Sequence, residues 1–282
     1  MGMNRSAANI ETVPLRFSCK ECPSRKVCLS MELGAHDPAA PERIIRRRLR
    51  RKGETLYRAG EPLRALHAVQ GGCIRTSMST CDGEVQVLGF HVPGELLGID
   101  AIGEGRHPSD ATVIEESLVC EFPYAALEAQ MREAPALQRR LLRLMSLEIA
   151  REEELMCVLG QRGAESRLAN CLLDLSKRQQ KIERRGDWFR LSMSREDLGN
   201  HLGLAMETVS RLFSRFQEEG LLSVAGRQVR LLDYPRLRAV QESGGGFTPV
   251  QGAGAAATPQ RRLWMSRAQV KGGDWLSVSD SA

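Results

Sequence analysis

The sequence of 282 residues predicts an α+β fold, with short strands first, a long helix next, and a helix-turn-helix with a strand pair near the end. Three observations carry this. Between Gly53 and Phe122, short alternating segments are broken by glycine and proline corners, as in an antiparallel sandwich or barrel. After Pro135, apolar residues recur at steps of three and four over more than twenty positions. From residue 191 the chain reads LSMSREDLGNHLGLAMETVSRLFSRFQEEGLLSVAGRQVRLL, two amphipathic stretches joined across a glycine and followed by two strand-like arms.

In the β-rich part, ETLYRAGEP, LHAVQGGCIRTSMS, CDGEVQVLGFHVPGELLGI and DATVIEESLVCEF supply the strands, and Cys81-Asp82-Gly83 forms a hairpin tip. The basic run Arg46, Arg47, Arg48, Arg50, Arg51 and Lys52 is expected on the solvated face of a helix leading into this part. Residues 124–131 read as a short helix, and Pro135 fits the first turn of a longer one. On that longer helix Leu142, Met145, Ile149, Glu152, Met156 and Leu159 form one narrow stripe with the spacing of a two-stranded seam. A second stripe, Leu137, Leu141, Leu144 and Leu155, is available to the β-rich part. At a two-fold seam Glu152 meets its own symmetry mate, so pairing is expected to be marginal.

A further helix is expected from Ala164 to about Gln180. Ser194 caps the next, with Asp197 three positions on completing a capping box. Gly203 permits the tight turn, and the second amphipathic stretch buries Val209, Leu212, Phe213 and Phe216 on one face. That leaves Glu207, Thr208, Ser210, Arg211 and Arg215 elsewhere on its circumference, with LLSVAG and RQVRLL as the arms of a wing. A recognition helix presents such polar N-terminal residues to base edges in the major groove. Arg211 can donate twice to guanine and Glu207 can accept from cytosine or an adenine amino group. Ser210 suits a base or a phosphate, while Thr208, Arg215 and Arg227 suit phosphates, which fix register without reading sequence.

Charge and composition fit this reading without proving it. The net charge is only +5, with 42% hydrophobic and 27% charged residues, an ordinary globular balance. No apolar run reaches the roughly 18 to 20 residues of a membrane helix, so no membrane partner is expected. No secretory pattern opens the chain, and the expected compartment is the cytoplasm, where thiols stay reduced. The stretch FSCKECPSRKVC places Cys19, Cys22 and Cys28 close together, a spacing compatible with zinc or with iron-sulfur. Cys73, Cys157 and Cys171 read as small buried groups and Cys81 as an exposed one. An enzyme is not expected: there is no GxGxxG loop and no convergent set of acid, base and nucleophile.

Taken together, FHVPGELLGIDAIGEGRHPS, LVCEFP, the RLMS and EI of RLMSLEIA, and GNHLGLAMETVSRLFSRFQ resemble the Crp/Fnr family of bacterial regulators, in particular its oxygen-sensing members. The resemblance covers most of residues 17–235. It implies a β-roll of the cyclic-nucleotide-binding type, a dimerisation helix and a winged helix-turn-helix. It also implies one 4Fe-4S cluster per subunit, held by Cys19, Cys22, Cys28 and Cys120. It further implies a homodimer while the cluster is intact, binding to palindromic double-stranded DNA with TTGAT-like half-sites, and RNA polymerase as a partner. Glu207, Ser210 and Arg211 match the family's base-reading positions, and the loop from Ser79 to Glu84 is the candidate polymerase surface. Nitric oxide or redox stress as the signal, or zinc in place of the cluster, are the alternatives. RHPSDATV lacks the Arg-Ser or Arg-Thr pair with which relatives clamp a cyclic phosphate, so no cyclic nucleotide is expected. The implied organisation is a cluster-ligand segment at 1–30, a sensory β-roll with its leading segment at 31–124, a helical region at 125–161, a DNA-binding domain at 162–240 and a disordered tail at 241–282.

Overall fold

The computed structural model describes residues 19–37, 39–161, 163–182 and 188–243, all within one compact unit. Most of the expected tail, with Trp264 and Trp275, lies outside the described residues. The chain enters through a 3-10 turn at Pro23–Lys26 and two short helices, α1 (Ser30–His36) and α2 (Ala40–Ile44).

The basic run that follows is a strand, β1 (Arg46–Arg50), which corrects the helical expectation. Its reason is local pairing. β1 runs antiparallel to the long strand β6 (Asp110–Pro123), and Glu121 of β6 accepts from Arg48 Nε at 3.1 Å and Arg50 Nη2 at 2.7 Å. A helix would scatter those arginines around its circumference, whereas the strand's period of two sets Arg48 and Arg50 on the same side.

Four further strands complete the sheet: β2 (Thr55–Tyr57), β3 (Ala65–Ser79), β4 (Val85–His91) and β5 (Leu96–Leu97). All pairings are antiparallel, in the order β1-β6-β3-β4, with β2 also on β6 and β5 also on β3. Register shifts at Val69/Gly71, Gly71/Cys73 and Cys73/Ile74 interrupt the β3–β6 ladder. Such irregularities bend a strand and increase its twist, so this long pair can curl into a roll. Leu66, Val69, Ile74, Leu97, Val113, Val119 and Phe122 fill the interior. Each is worth ~1.5–3 kcal/mol of transfer free energy for the larger side chains.

The helical region comprises α3 (Tyr124–Glu133), α4 (Pro135–Gln161) and α5 (Ala164–Gln180). At a rise of about 1.5 Å per residue, α4 spans about 40 Å. Its inner stripe behaves as expected: Leu137 and Leu141 are buried, and Leu144 packs against the cluster they belong to. Beyond α5 come β7 (Trp188–Arg190), α6 (Arg195–Leu202), α7 (Met206–Glu218), β8 (Leu222–Ala225), β9 (Gln228–Leu231) and α8 (Tyr234–Glu242). The expected wing is a three-stranded sheet, β7-β9-β8, and α8 closes on α5 through Ser166 Oγ donating to Gln241 O at 2.5 Å. The sequence reading missed β7, three residues long and distant from its partner, and α8, whose apolar stripe is brief.

A half-buried ion-pair node joins the three regions. Glu95, in the turn before β5, accepts from Arg178 Nε and Nη2 of α5, both at 2.6 Å, and from Arg151 Nη1 of α4 at 3.4 Å. Burial works against the charge on Glu95, but Arg178 and Arg151 outweigh it and hold the carboxyl well below the usual carboxylate range. Arg178 also reaches Asp174 at 3.0 Å and donates to Phe90 O, so its own burial is compensated.

Burial pushes the imidazoles of His67 down to about 4 and His91 to about 3, and lowers that of His201. Their unfolded values lie near ~6.5. Below that value the unfolded chain binds protons that the folded chain refuses, so stability falls with pH through the window from about 6.5 to 4. Glu148, pushed up by burial to about 7 against the pull of Arg151, works in the opposite sense and offsets one imidazole. The net slope near pH 5.5 is on the order of 1 kcal/mol per pH unit, with stability lost on acidification. Urea unfolding at pH 7, 6 and 5 should show the midpoint falling at each step. An unchanged midpoint would mean that the imidazoles are not held neutral in the fold.

Candidate nucleic-acid interface

The helix-turn-helix is built by its caps and its glycines. Ser194 Oγ accepts from the Asp197 amide at 2.9 Å, and the Asp197 carboxylate accepts from the Ser194 amide at 3.4 Å, so α6 begins on the expected capping box. It ends at Gly203, which sits in the left-handed region at φ 63° and ψ 41°. Gly199 is required for another reason: a Cβ there would lie 2.5 Å from Leu204 O, so only glycine lets the turn close over α6.

The inner face of α7 then buries Val209, Leu212, Phe213 and Phe216 in one core with Leu168 and Leu172 of α5, Leu198 and Leu202 of α6, and Val229 of β9. Burial of that face fixes the opposite one outward. Glu207, Ser210 and Arg211 are exposed, and Thr208 is half-buried beside them. Arg211 Nη2 donates to Thr208 Oγ1 at 3.4 Å, and Ser210 Oγ donates to Met206 O at 3.0 Å. The structure therefore gathers these four side chains on the first two turns of one helix.

Arg215 and Arg227 stand apart from them. Arg215 donates to Glu219 at 2.8 Å and pairs with Glu165 of α5, bracing α7 against its neighbour. Arg227, at the tip of the β8–β9 hairpin, donates to Ser192 O at 2.7 Å. A guanidinium has five donor hydrogens, so both retain capacity for a phosphate while serving these internal bonds. Arg195, not singled out from the sequence, lies 3.4 Å over the Phe213 ring and seals the α6–α7 junction. Nothing in a one-dimensional pattern marks that contact.

Four of the six residues of the seam stripe of α4 are exposed, while Met145 packs against the inner cluster. Leu142, Ile149 and Met156 are 57%, 54% and 64% exposed, Glu152 is exposed, and Met145 and Leu159 are half-buried. Leu147, outside the expected stripe, is 59% exposed. A helix with so much apolar surface facing solvent in the single chain is unfinished.

The N-terminal thiols require a correction. Cys19, Cys22, Cys28 and Cys120 do approach one another, since Cys28 and Cys19 both contribute to raising Cys120. Each is nevertheless engaged in its own way. Arg47 Nη2 donates to Cys19 Sγ at 2.9 Å, and the Cys120 thiol donates to Gln70 Oε1 at 3.5 Å. Burial raises the Cys22 and Cys28 thiols and pushes Cys120 up to about 12. Among the described residues, no group of three or more His, Cys, Asp or Glu side chains is placed to hold a metal ion. The expectation of one 4Fe-4S cluster per subunit on these cysteines is overturned by that placement, and the zinc alternative falls with it. Among the described residues, no helix is long and apolar enough to cross a membrane.

Comparison with known proteins agrees with this architecture. A model of the Crp-like helix-turn-helix domain matches residues 166–240, and one of the cyclic nucleotide-binding domain matches residues 47–134. The chain is 40% identical to the transcriptional activator protein anr of Pseudomonas aeruginosa over 235 residues, covering 82% of this chain and 96% of that one. It is 39% identical over 228 residues to the fumarate and nitrate reduction regulatory protein of Escherichia coli K12, covering 80% and 91%. Among solved structures, FixK2 from Bradyrhizobium japonicum superposes with a TM-score of 0.65 at 30% identity, covering 70% of this chain and 97% of that one. The capped helix-turn-helix, the antiparallel roll and the long helix between them, with relatives at this identity over nearly their whole length, make the chain a member of the Crp/Fnr family of transcription regulators.

Proposed function

We propose that the protein pairs through α4 and reads a palindromic duplex with TTGAT-like half-sites, activating or repressing genes of anaerobic metabolism in response to oxygen. One observation carries the reading of DNA: Glu207, Ser210 and Arg211 project from the first turns of a helix whose opposite face is locked in a core. Arg211 supplies the bidentate donor for guanine and Glu207 the acceptor for an exocyclic amine. Thr208, Arg215 and Arg227 supply phosphate contacts, which set register. Two such helices about a two-fold axis enter successive major grooves ~34 Å apart when α4 pairs with its mate.

The exposed stripe of Leu142, Ile149 and Met156 supports pairing, because an isologous contact would bury all three twice. Glu152 in its midst sets two carboxylates against each other and keeps the association weak enough to be regulated. The oxygen response rests on the likeness to relatives named for fumarate and nitrate reduction, and no metal centre enters the proposal. RNA polymerase remains a proposed partner at the β3–β4 hairpin, where Met78 and Val85 are exposed on either side of the Thr80–Glu84 turn.

A cyclic nucleotide is not a proposed ligand, and the charge lining the roll explains why. A cavity of about 130 Å³ between the roll, α4 and α5 is bordered by Asp100, Glu148, Glu152, Glu154 and Asp174. Its two arginines, Arg151 and Arg178, are committed to Glu95. A phosphate entering there would meet carboxylates and no free guanidinium.

The Arg211→Ala protein should lose about 1–3 kcal/mol of binding to the palindrome and relax its preference at the guanine position, measured by anisotropy against single-base variants of the site. Equal loss on all sequences would assign Arg211 to phosphate. Glu152→Ala should raise the dimer fraction in sedimentation and Ile149→Glu should abolish it; dimerisation indifferent to both would move the seam elsewhere. Protein prepared without air should hold the palindrome more tightly than the same protein after exposure to air.

A further inference from the structure

The recognition helix is aimed by more than its own domain. β4 is an edge strand, paired with β3 on one side only. Its outer row of peptide groups is met by α6, and there Asn200 makes the two shortest bonds. The Val87 amide donates to Asn200 Oδ1 at 2.6 Å, and Asn200 Nδ2 donates to Val85 O at 2.7 Å. The carboxamide thus imitates the peptide unit of a neighbouring strand, accepting from residue 87 and donating to residue 85. This two-sided pairing also fixes which terminal atom is nitrogen, since an amide must donate and a carbonyl must accept.

Neighbouring contacts widen the attachment. Gln86 Nε2 donates to Asn200 O at 3.0 Å, and His201 Nδ1 lies 3.3 Å from Val87 O. Arg75 of β3 pairs with Asp197, one turn earlier on α6, at 2.5 Å. Asp197, Asn200 and His201 occupy one stripe of α6, while Leu198 and Leu202 occupy the stripe turned to α7. The first helix of the reader therefore has two employed faces, one for its own core and one for the roll. The docking covers none of Glu207, Ser210 or Arg211, which remain exposed. An attachment that leaves the reading face open orients that face and does not hide it.

We propose that Asn200 is a positioning residue for DNA recognition: by completing the edge of β4 it fastens the helix-turn-helix to the roll and thereby fixes the spacing of the two recognition helices. The inference rests on the DNA-reading and dimer assignments above. Beside this fastening, the reader shares an apolar core with the roll, in which Val87, Phe90 and Ile114 join Leu168 and Leu172, and it is held by Glu115 and Glu95, which bind Arg190 and Arg178. Apolar packing is non-directional, so without the paired hydrogen bonds the reader keeps some freedom to turn on the roll. A single half-site is indifferent to that freedom. A two-half-site operator is not, because simultaneous engagement depends on the span between readers.

The test compares the full-length parent with Asn200→Ala, a substitution that favours the helix interior and removes both bonds to β4. Hydrogen exchange of the 85–88 segment, measured without DNA, should quicken in the variant. Affinity for the full palindrome should fall by about tenfold while affinity for a duplex with one half-site stays within about twofold, and the penalty for adding or removing a spacer base pair should shrink. Arg75→Ala, which breaks the neighbouring ion pair from the roll side and leaves the α6 cap intact, should give the same split in smaller measure. It answers the question should Asn200→Ala melt early. Unchanged exchange at 85–88, an unchanged ratio of full-site to half-site affinity, or tighter full-site binding in the variants would each overturn the proposal. A parent that does not prefer the palindrome to random duplex would overturn the DNA assignment itself, and faster exchange in Asn200→Ala would then remain only as evidence of the physical fastening.

Discussion

A single half-buried carboxylate holds the three regions of this molecule in one arrangement. Glu95 belongs to the roll, Arg151 to the long helix and Arg178 to the helix that begins the DNA-binding part. Taking any one of them out of water alone would be costly, and removing one partner would strand the others. The node is therefore strongest as a specification: it tolerates one mutual placement of roll, α4 and α5. The edge-strand attachment through Asn200 and the Glu115–Arg190 pair at 2.7 Å act on the same interface from the other side of the domain.

This arrangement links the roll to α7 without a long mechanical path. The inner leucines of α4 pack below the roll and its outer residues are exposed on the seam proposed above for a second subunit, so a small rotation of the helix would alter both faces together. A close-packed interface responds to such a change by switching between discrete fits and not by yielding smoothly.

Local signals made the winged reader legible. A capping box, a left-handed glycine and a 3.6-residue period act over a few positions, and α6, α7, β8 and β9 fall within a residue or two of the expected limits. Elements defined by distant partners were harder to see. β1 carries five consecutive residues of which four are arginine, a composition no strand scale favours, and it is a strand because β6 offers it a ladder and Glu121. β7 depends in the same way on β9. The cysteine motif shows a different limit. Spacing brought Cys19, Cys22 and Cys28 together along the chain, and the fold brought Cys120 near them, but proximity did not become coordination. Arg47 contacts the sulfur of Cys19, Gln70 that of Cys120, and Cys28 lies in an apolar cluster with Leu66, Phe122 and Leu137. None of those neighbours lies within the motif.

The arginines of β1 have a consequence for how the molecule behaves in a crowd. β1 is the other border of the sheet, with an unpaired row of peptide groups, and such borders invite stacking between copies of the same chain. Here the border carries long side chains already tied to their own subunit, Arg47 to Glu42 and Arg48 and Arg50 to Glu121, and a second strand could pair with it only by displacing them or fitting around them. The run that reads as a surplus of positive charge thus works as a fender, keeping the sheet from growing beyond its own subunit.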